Sequence, residues 1–588
     1  MLCNFTNQIL ISNLNMDPKM NIKRLHDLSG IYVDSLCMYS PRVLHKIASV
    51  NPENIEFDTN DNRADFSFKE LQSIPLSKNY GYLCLKNKQG NNEVFMPEGN
   101  VNYLKPGLKR DSKEYSKLHN MLKQAIFTVI DGLTFSSDKT KDSQVKDTFK
   151  TGLVDQKFTD LAIHAYIKFK DHSQQLELAL IQILWLYIHD DLRDDSSSPL
   201  HTNADEVNGM NKGIYFYLRG TSRASFKFSN VENNVFDMDK VFKKHTKLIP
   251  KLTLLEGLTT EYKHRLDKMF STTQDDARLQ QLKVEMKNNI LKDVDLYFKA
   301  NHREAVAASQ KKTTDLMSYQ EYRKQNSAVP LCATLGETYL ALNNPDPVYA
   351  WYQITQLHEE ASYIDVHTDM ALHIGAANCI FSAAREYING DATNLVAIFK
   401  KPQNGPELTW PQAYSKAADY VNAKYDSLIE SYNMLKEKLR KKTIAIYSSD
   451  RTVAEIEQDL DSLDPSSHHY KNQYIELVFQ KQVKEYFETG NLNEKSIGEF
   501  LKLHPQIQNF KYMFDWTDGN IHFSTHAPRY LANDQRLNAE EVIAYLNTKS
   551  FFNVNFAKKV ILAGIAAAGF SYLYGPSFIA AFTGSRYD

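Results

Sequence analysis

Beyond about residue 110, apolar residues recur every three to four positions, the period of helices that bury one face. The pattern predicts helices over Leu118 to Ile130, Phe158 to Phe169 and Gln175 to His189. It resumes from Phe236 to about Asn343, and continues through Asp346 to Tyr387, Pro411 to Leu439 and Ile475 to Phe487. Strand-like alternation is confined to the start of the chain. There, Tyr80-Gly81-Tyr82-Leu83-Cys84-Leu85 and Glu93-Val94-Phe95-Met96 flank Lys88-Gln89-Gly90-Asn91 and read as a hairpin with a loop of several residues. Two stretches break the helical rhythm. Residues 196–234 are rich in Ser, Pro, Asn and Gly, and residues 441–469 are polar and charged, so both read as excursions between helices. The expected fold is all-α over residues 111–545, after a small mixed N-terminal extension, residues 1–110, and before a hydrophobic C-terminal tail, residues 546–588.

Composition narrows the function classes. A chain of 588 residues that is 42% hydrophobic can bury one large core or two to three smaller ones. Its net charge of -2 offers no global field to recruit nucleic acid. The five cysteines are scattered, without disulfide-framework or metal-finger spacing, which favours a reducing compartment. The N-terminus lacks the basic and apolar regions of a secretory signal. The expected location is therefore cytoplasmic. Val560 to Phe582 carries no charge and is long enough to span a bilayer, but Gly575-Pro576 interrupts it. Membrane association through this tail and a buried or surface-lying helix both remain open.

The chemistry concentrates where an apolar helix ends in carboxylates, at Leu184-Trp185-Leu186-Tyr187-Ile188-His189-Asp190-Asp191-Leu192-Arg193-Asp194. On a helix Asp190 and Asp194 lie one turn apart, with Asp191 beside them. Crowded carboxylates resist full ionisation unless cations neutralise them, and hard divalent ions, Mg2+ above all, suit oxygen ligands. Mg2+ held by one or two carboxylates completes its shell with substrate phosphates, so the run suggests a diphosphate site at the mouth of an apolar cavity. A solvated acidic helix end is the plainer alternative. Further on, Asn378, Ser382 and Glu386 recur every four residues, offering an amide oxygen, a hydroxyl and a carboxylate along one helix stripe. Arg385 lies beside them and could meet a phosphate; the same stripe could be an ordinary polar face. Arg323, in Tyr322-Arg323-Lys324-Gln325-Asn326-Ser327, and Arg529-Tyr530 each place a guanidinium fork next to aromatic rings.

Together these four features resemble the class I terpene synthases of the microbial type, from about residue 115 to about residue 540. The family's D-D-x-x-D run corresponds to Asp190-Asp191-Leu192-Arg193-Asp194, and its N/D-D-x-x-S-x-x-K/R-D/E motif to Asn378 through Glu386. Its sensor arginine corresponds to Arg323, and its late R-Y pair to Arg529-Tyr530. The segment Gly390-Asp391-Ala392-Thr393-Asn394-Leu395-Val396 is also similar to the family. Cys379 stands where the family usually has Asp, Phe523 where it has Trp, and Ser327 where its effector residue is often Gly. The resemblance implies a helical bundle around a central cavity that binds a prenyl diphosphate, farnesyl or geranylgeranyl, and cyclises its carbocation. It implies three Mg2+ ions, with Mn2+ as a substitute, held by Asp190, Asp191, Asp194, Asn378, Ser382 and Glu386. Arg323, Arg385, Arg529 and Tyr530 would grip the diphosphate, with Asn326 and Ser327 at the effector position. Tyr187, Ile374 and Phe523 are expected in the cavity wall, although ordinary packing explains them as well. A homodimer is compatible with this reading. A prenyl diphosphate synthase and a catalytically silent prenyl-lipid-binding helical protein are the alternatives. The lack of a second D-D-x-x-D speaks against the first, and intact metal ligands at both motifs against the second.

Overall fold

The computed structural model describes residues 71–76, 82–86, 92–95, 97–104, 108–194, 200, 203–220, 226, 228, 246–271, 277–309, 315–359, 366–389, 393–402, 405–465, 467–488, 492–527, 530 and 536–537. Strands β1 (Leu71–Pro75), β2 (Tyr82–Lys86), β3 (Asn92–Phe95) and β4 (Asn100–Leu104) come first. Helices follow: α1 (Lys113–Asp131), α2 (Lys139–Asp155), α3 (Phe158–Ala165), α4 (Ser173–Asp194), α5 (Ala204–Gly220), α6 (Ile249–Met269), α7 (Ala277–Ser309) and α8 (Leu316–Asn326). Then come α9 (Val329–Leu342), α10 (Pro347–Glu359), α11 (Val366–Asn389), α12 (Leu395–Lys400), α13 (Trp410–Tyr447), α14 (Val453–Asp461), α15 (Tyr470–Phe487), α16 (Glu494–Lys502), α17 (Pro505–Ser524) and a short β5 (Arg536–Leu537). Among the described residues the fold is helical from Lys113 to Ser524, as the periodicity predicts, with the two-residue β5 following. The hydrophobic tail and the first 70 residues lie outside the described residues. No helix among the described residues is long and apolar enough to cross a membrane.

The expected hairpin is present, with β2 and β3 antiparallel in the register Leu83↔Phe95 and Lys86↔Asn92. β1 pairs with β4, and β2 also pairs with β5 from the far end of the chain. These strands pack on the helices. Phe95 is fully buried against Trp410 and Tyr387, at ring-centroid distances of 4.6 and 6.0 Å. The Asn102 amide N–H donates to Asn422 Oδ1 at 2.8 Å.

Both stretches read as excursions contain helices. In the first, α5 buries Val207, Met210, Ile214 and Tyr217 at helical spacing, and Gly209 and Gly213 on the same buried side dilute the pattern in sequence. In the second, α13 runs on to Tyr447 because Leu439, Thr443 and Ile446 continue its buried stripe. Next, α14 opens on a capping box in which Thr452 and Glu455 satisfy each other's backbone N–H groups. That box is a sequence-level helix start embedded in a stretch whose polarity obscures it.

The core is aromatic. Trp185 of α4 stacks on Tyr262 of α6 with centroids 5.3 Å apart, and its indole N–H donates to Thr259 at 3.1 Å. Tyr512 of α17 crosses α9 so closely that a Cβ at Gly336 would sit 2.0 Å from its ring; only glycine permits that approach. The Tyr512 hydroxyl donates to the Cys332 carbonyl at 2.6 Å.

One buried carboxyl at the junction of strands and helices gives a pH-dependent expectation. Asp518 Oδ1 accepts from the Leu104 N–H at 2.9 Å and from the Tyr425 hydroxyl at 3.0 Å. Burial pushes the Asp518 carboxyl well above the usual range. A raised carboxyl binds its proton in the folded state while the unfolded chain has lost it. Stability therefore declines as pH climbs from about 4 toward the folded value. Asn keeps Oδ1 for both donors and never ionises. Asp518→Asn is expected to gain stability relative to wild type on going from pH 5 to pH 8, measured by denaturant melts. An equal difference at both pH values would refute the assignment.

Candidate active site

The carboxylate run closes α4. Asp190 and Asp191 are half-buried, and the side chain of Asp194, the last residue of the helix, lies outside the described residues. Arg193, between them in sequence, turns inward with 4% of its side chain exposed and bonds Asp190 Oδ1 at 2.9 Å. Its other arm pairs with the buried carboxylate of Glu304 on α7. Glu304 also accepts from Asn326 Nδ2 at 3.0 Å and from Thr393 Oγ1 at 3.3 Å. One carboxylate thus ties the end of α4 to the end of α8 and to the segment after α11.

The second constellation lies on α11. Asn378 donates its amide N–H to the Tyr530 hydroxyl at 2.6 Å, which leaves Oδ1 as the oxygen free to accept. Ser382 is buried and donates to the Asn378 carbonyl at 2.8 Å, keeping its oxygen lone pairs. Glu386 Oε2 accepts from Asn394 Nδ2 at 2.7 Å. Asn394 also donates to the Cys379 carbonyl at 2.9 Å and accepts from the Val396 N–H at 2.8 Å, capping α12. Arg385 lies on the same helix, with a side chain outside the described residues, as is Arg529 altogether.

Arg323 packs flat on α11. A Cβ at Gly375 would meet its Cγ at 2.9 Å and its Nε at 3.0 Å, so the glycine makes the berth for the arginine. Its Nε is buried with no hydrogen-bond partner. Burial opposes the guanidinium charge, yet Cys379, Tyr319, Glu304 and Glu386 together raise its pKa well above the ordinary value. Three residues on, α8 ends in Asn326, which is buried, and Ser327 at its C-cap; Ala328 then takes a left-handed φ of 57° before α9 begins. A non-glycine residue in that region marks a constrained break.

Of the expected wall residues, Tyr187 and Phe523 meet. Tyr187 and Phe523 lie 5.9 Å apart, Phe158 touches both at 4.8 and 5.9 Å, and Phe523 reaches Tyr530 at 5.9 Å. An aromatic chain therefore runs from the α4 carboxylate end to Asn378. Ile374 is buried one turn before Asn378, its carbonyl facing Asn520 Nδ2 at 3.5 Å. Beside the acidic run, His189 is wedged between Tyr297 at 3.1 Å and Asn211 at 2.7 Å, and burial lowers its pKa to about 4.

Sequence reasoning missed Glu304 and the inward role of Arg193. Glu304 sits within His302-Arg303-Glu304-Ala305-Val306-Ala307, where a lone carboxylate among small apolar residues is the one weak signal of burial.

The all-α fold thus brings an acidic helix end, an Asn/Ser/Glu stripe and a half-buried arginine toward one region. Residues 238–427 match the family model described as terpene synthase family 2, C-terminal metal binding. The match contains Arg323, Asn378, Ser382 and Glu386 but not Asp190 or Tyr530. Among solved structures the chain is similar to a point variant of cucumene synthase, at 14% identity and a TM-score of 0.31, over 59% of this chain and 87% of that one. No curated protein matches the chain.

Proposed function

We propose that the protein is a Mg2+-dependent terpene cyclase that ionises an allylic prenyl diphosphate, farnesyl or geranylgeranyl, and cyclises the carbocation with release of diphosphate. The observation that carries this reading is the joining of the two motifs from both sides. A polar chain runs Asp190–Arg193–Glu304–Thr393, and an aromatic chain runs Tyr187–Phe523–Tyr530–Asn378.

The donor set fits a hard cation. Asp190, Asp191 and Asp194 on one side, and Asn378 Oδ1, Ser382 Oγ and Glu386 on the other, supply only oxygen. When bound there, Mg2+ neutralises charge developing on a departing diphosphate. Arg323 presents a half-buried cation whose buried Nε lacks a partner, and a diphosphate oxygen would complete it. Tyr530, Arg385 and Arg529 would add donors to the same anion. As the allylic C–O bond breaks, the electron pair leaves with the diphosphate, and these fixed positive groups favour the charge that forms. Tyr187, Phe158 and Phe523 would keep water from the cation and offer ring faces to it. Ser327 and the strained Ala328 stand at the break where the family's effector lies, so product outcome is expected to depend on them more than turnover does.

Incubating the full chain with geranyl, farnesyl and geranylgeranyl diphosphates and Mg2+, followed by product analysis, tests the reading. A cyclic hydrocarbon or alcohol with stoichiometric diphosphate is expected from at least one substrate, and none in chelator. Chain-elongated diphosphates would make the protein a synthase of prenyl chains. Substrate binding without turnover would make it a prenyl-lipid binder.

A further inference from the structure

We propose that Glu337, His358 and His367 form a second metal site, for a borderline divalent ion of the zinc class, that clamps the start of α11 and is separate from the oxygen-lined diphosphate site. The three side chains come from three helices, α9, α10 and α11, and their donor atoms all lie within 4.8 Å of one another. Both imidazoles aim the same nitrogen, Nε2, at the one carboxylate. His367 Nε2 is 2.7 Å from Glu337 Oε1, and His358 Nε2 is 3.1 Å from Oε1 and 3.3 Å from Oε2. The rings are 4.1 Å apart at their centroids.

Donors on a tetrahedral zinc with bonds of about 2.0–2.1 Å stand roughly 3.3 Å apart, so the His358–Glu337 spacing already matches and the His367–Glu337 one must open by about 0.6 Å. Two imidazoles and one carboxylate are a zinc donor set that leaves a fourth position for water or another ligand. Imidazole nitrogen selects Zn2+, Co2+ and their neighbours over Mg2+, the reverse of the oxygen-only stripe further along α11.

The surroundings are those of a built site. Glu337 keeps 3% of its side chain exposed, and its Oε1 accepts from Asn509 Nδ2 of α17 at 2.8 Å. Such outer hydrogen bonds orient ligating groups. The two histidines are 33% and 19% exposed, which gives an ion a route in. His367 also lines a cavity of about 200 Å³, with Asp293, Tyr297, Lys324 and Thr368 among its walls. Thr334 of α9 holds Asp293 at 2.5 Å, so a further carboxylate is fixed in the same recess.

The consequence is mechanical. His367 stands 11 residues before Asn378 on α11, about 16 Å along a helix axis, too far to share an ion with it. An ion here ties α11, which carries Asn378, Ser382 and Glu386, to α9, which follows the Ser327–Ala328 break.

The test uses the full chain stripped with a chelator, then titrated with Zn2+ or Co2+ in excess Mg2+. One equivalent of Zn2+ is expected to bind by calorimetry and to raise the melting temperature. Co2+ is expected to give the intense visible bands of a tetrahedral ion and two paramagnetically shifted imidazole N–H resonances. His358→Ala, chosen because that ring is the most exposed of the three, is expected to lose the equivalent, and Glu386→Gln to keep it. A wild-type chain that takes up no Zn2+ would leave a hydrogen-bonded Glu–His cluster in place of a metal site and overturn the proposal. So would Co2+ spectra showing fewer than two ligating histidines, or a His358→Ala chain that binds as wild type does.

Discussion

Glu386→Gln is expected to lower kcat by roughly 10²–10³-fold, the range found when one group aimed at developing charge is removed. The melting curve should stay within about 1 kcal/mol of wild type, because Gln still offers an oxygen to Asn394 Nδ2 and Glu386 is only half-buried. What changes is charge. The glutamine removes a negative ligand from the stripe while its neighbours hold their places. Asn378→Ala is expected to act similarly on turnover, with an added loss of the hydrogen bond to Tyr530. Steady-state kinetics with saturating Mg2+, paired with circular dichroism melts, separates the two effects. Full activity in both variants would remove this stripe from the site.

The second large effect falls on a residue that touches no predicted ligand position. Glu304→Met is expected to destabilise the fold by about 2–3 kcal/mol, less than the roughly 3–5 kcal/mol of a fully orphaned buried charge, because it removes one of the carboxylates that pair with a buried guanidinium. Arg193 would keep its pairing with Asp190, an oxygen of which the proposed cation would share. Asn326 and Thr393 would lose their shared acceptor as well. The double change Arg193→Met with Glu304→Met replaces both charges by apolar groups of similar reach and is expected to recover most of the stability. Activity should stay low, since Asp190 would lose the arginine that orients it. Denaturant melts of the two single variants and the double form the cycle. Additive losses in that cycle would mean that the two side chains are not coupled and that Glu304 does not organise the site.

Much of the proposed site was legible because its candidate ligands are local. Asp190 and Asp194, and likewise Asn378, Ser382 and Glu386, are separated by near-whole helical turns, and spacing alone places such groups on one face, with Asp191 beside the first pair. The helices that carry them were legible from long apolar runs: α4 is buried throughout Leu178 to Leu186 and α11 throughout Asp369 to Ala377. Polarity misled where it outweighed periodicity. The capping box Thr452/Glu455 signals a helix start in a charged stretch, and the glycines of α5 blur a buried stripe that its Val, Met, Ile and Tyr residues still draw.

Other relations belong to no local pattern. Glu304 meets Arg193 across 111 residues, Tyr530 meets Asn378 across 152, and Asn394 closes back on Glu386 across a helix end. Glu337 becomes the meeting point of His358 and His367 only when α9, α10 and α11 pack together. The sequence by itself determined the helical class, the two oxygen-bearing faces and the arginine that accompanies them, since each depends on a repeat read within a few turns. Tertiary packing decided which buried charges pair, which aromatic rings bridge the motifs and where histidines converge. Those outcomes depend on the long-range contacts that burial of the apolar faces enforces, and no spacing along the chain encodes them.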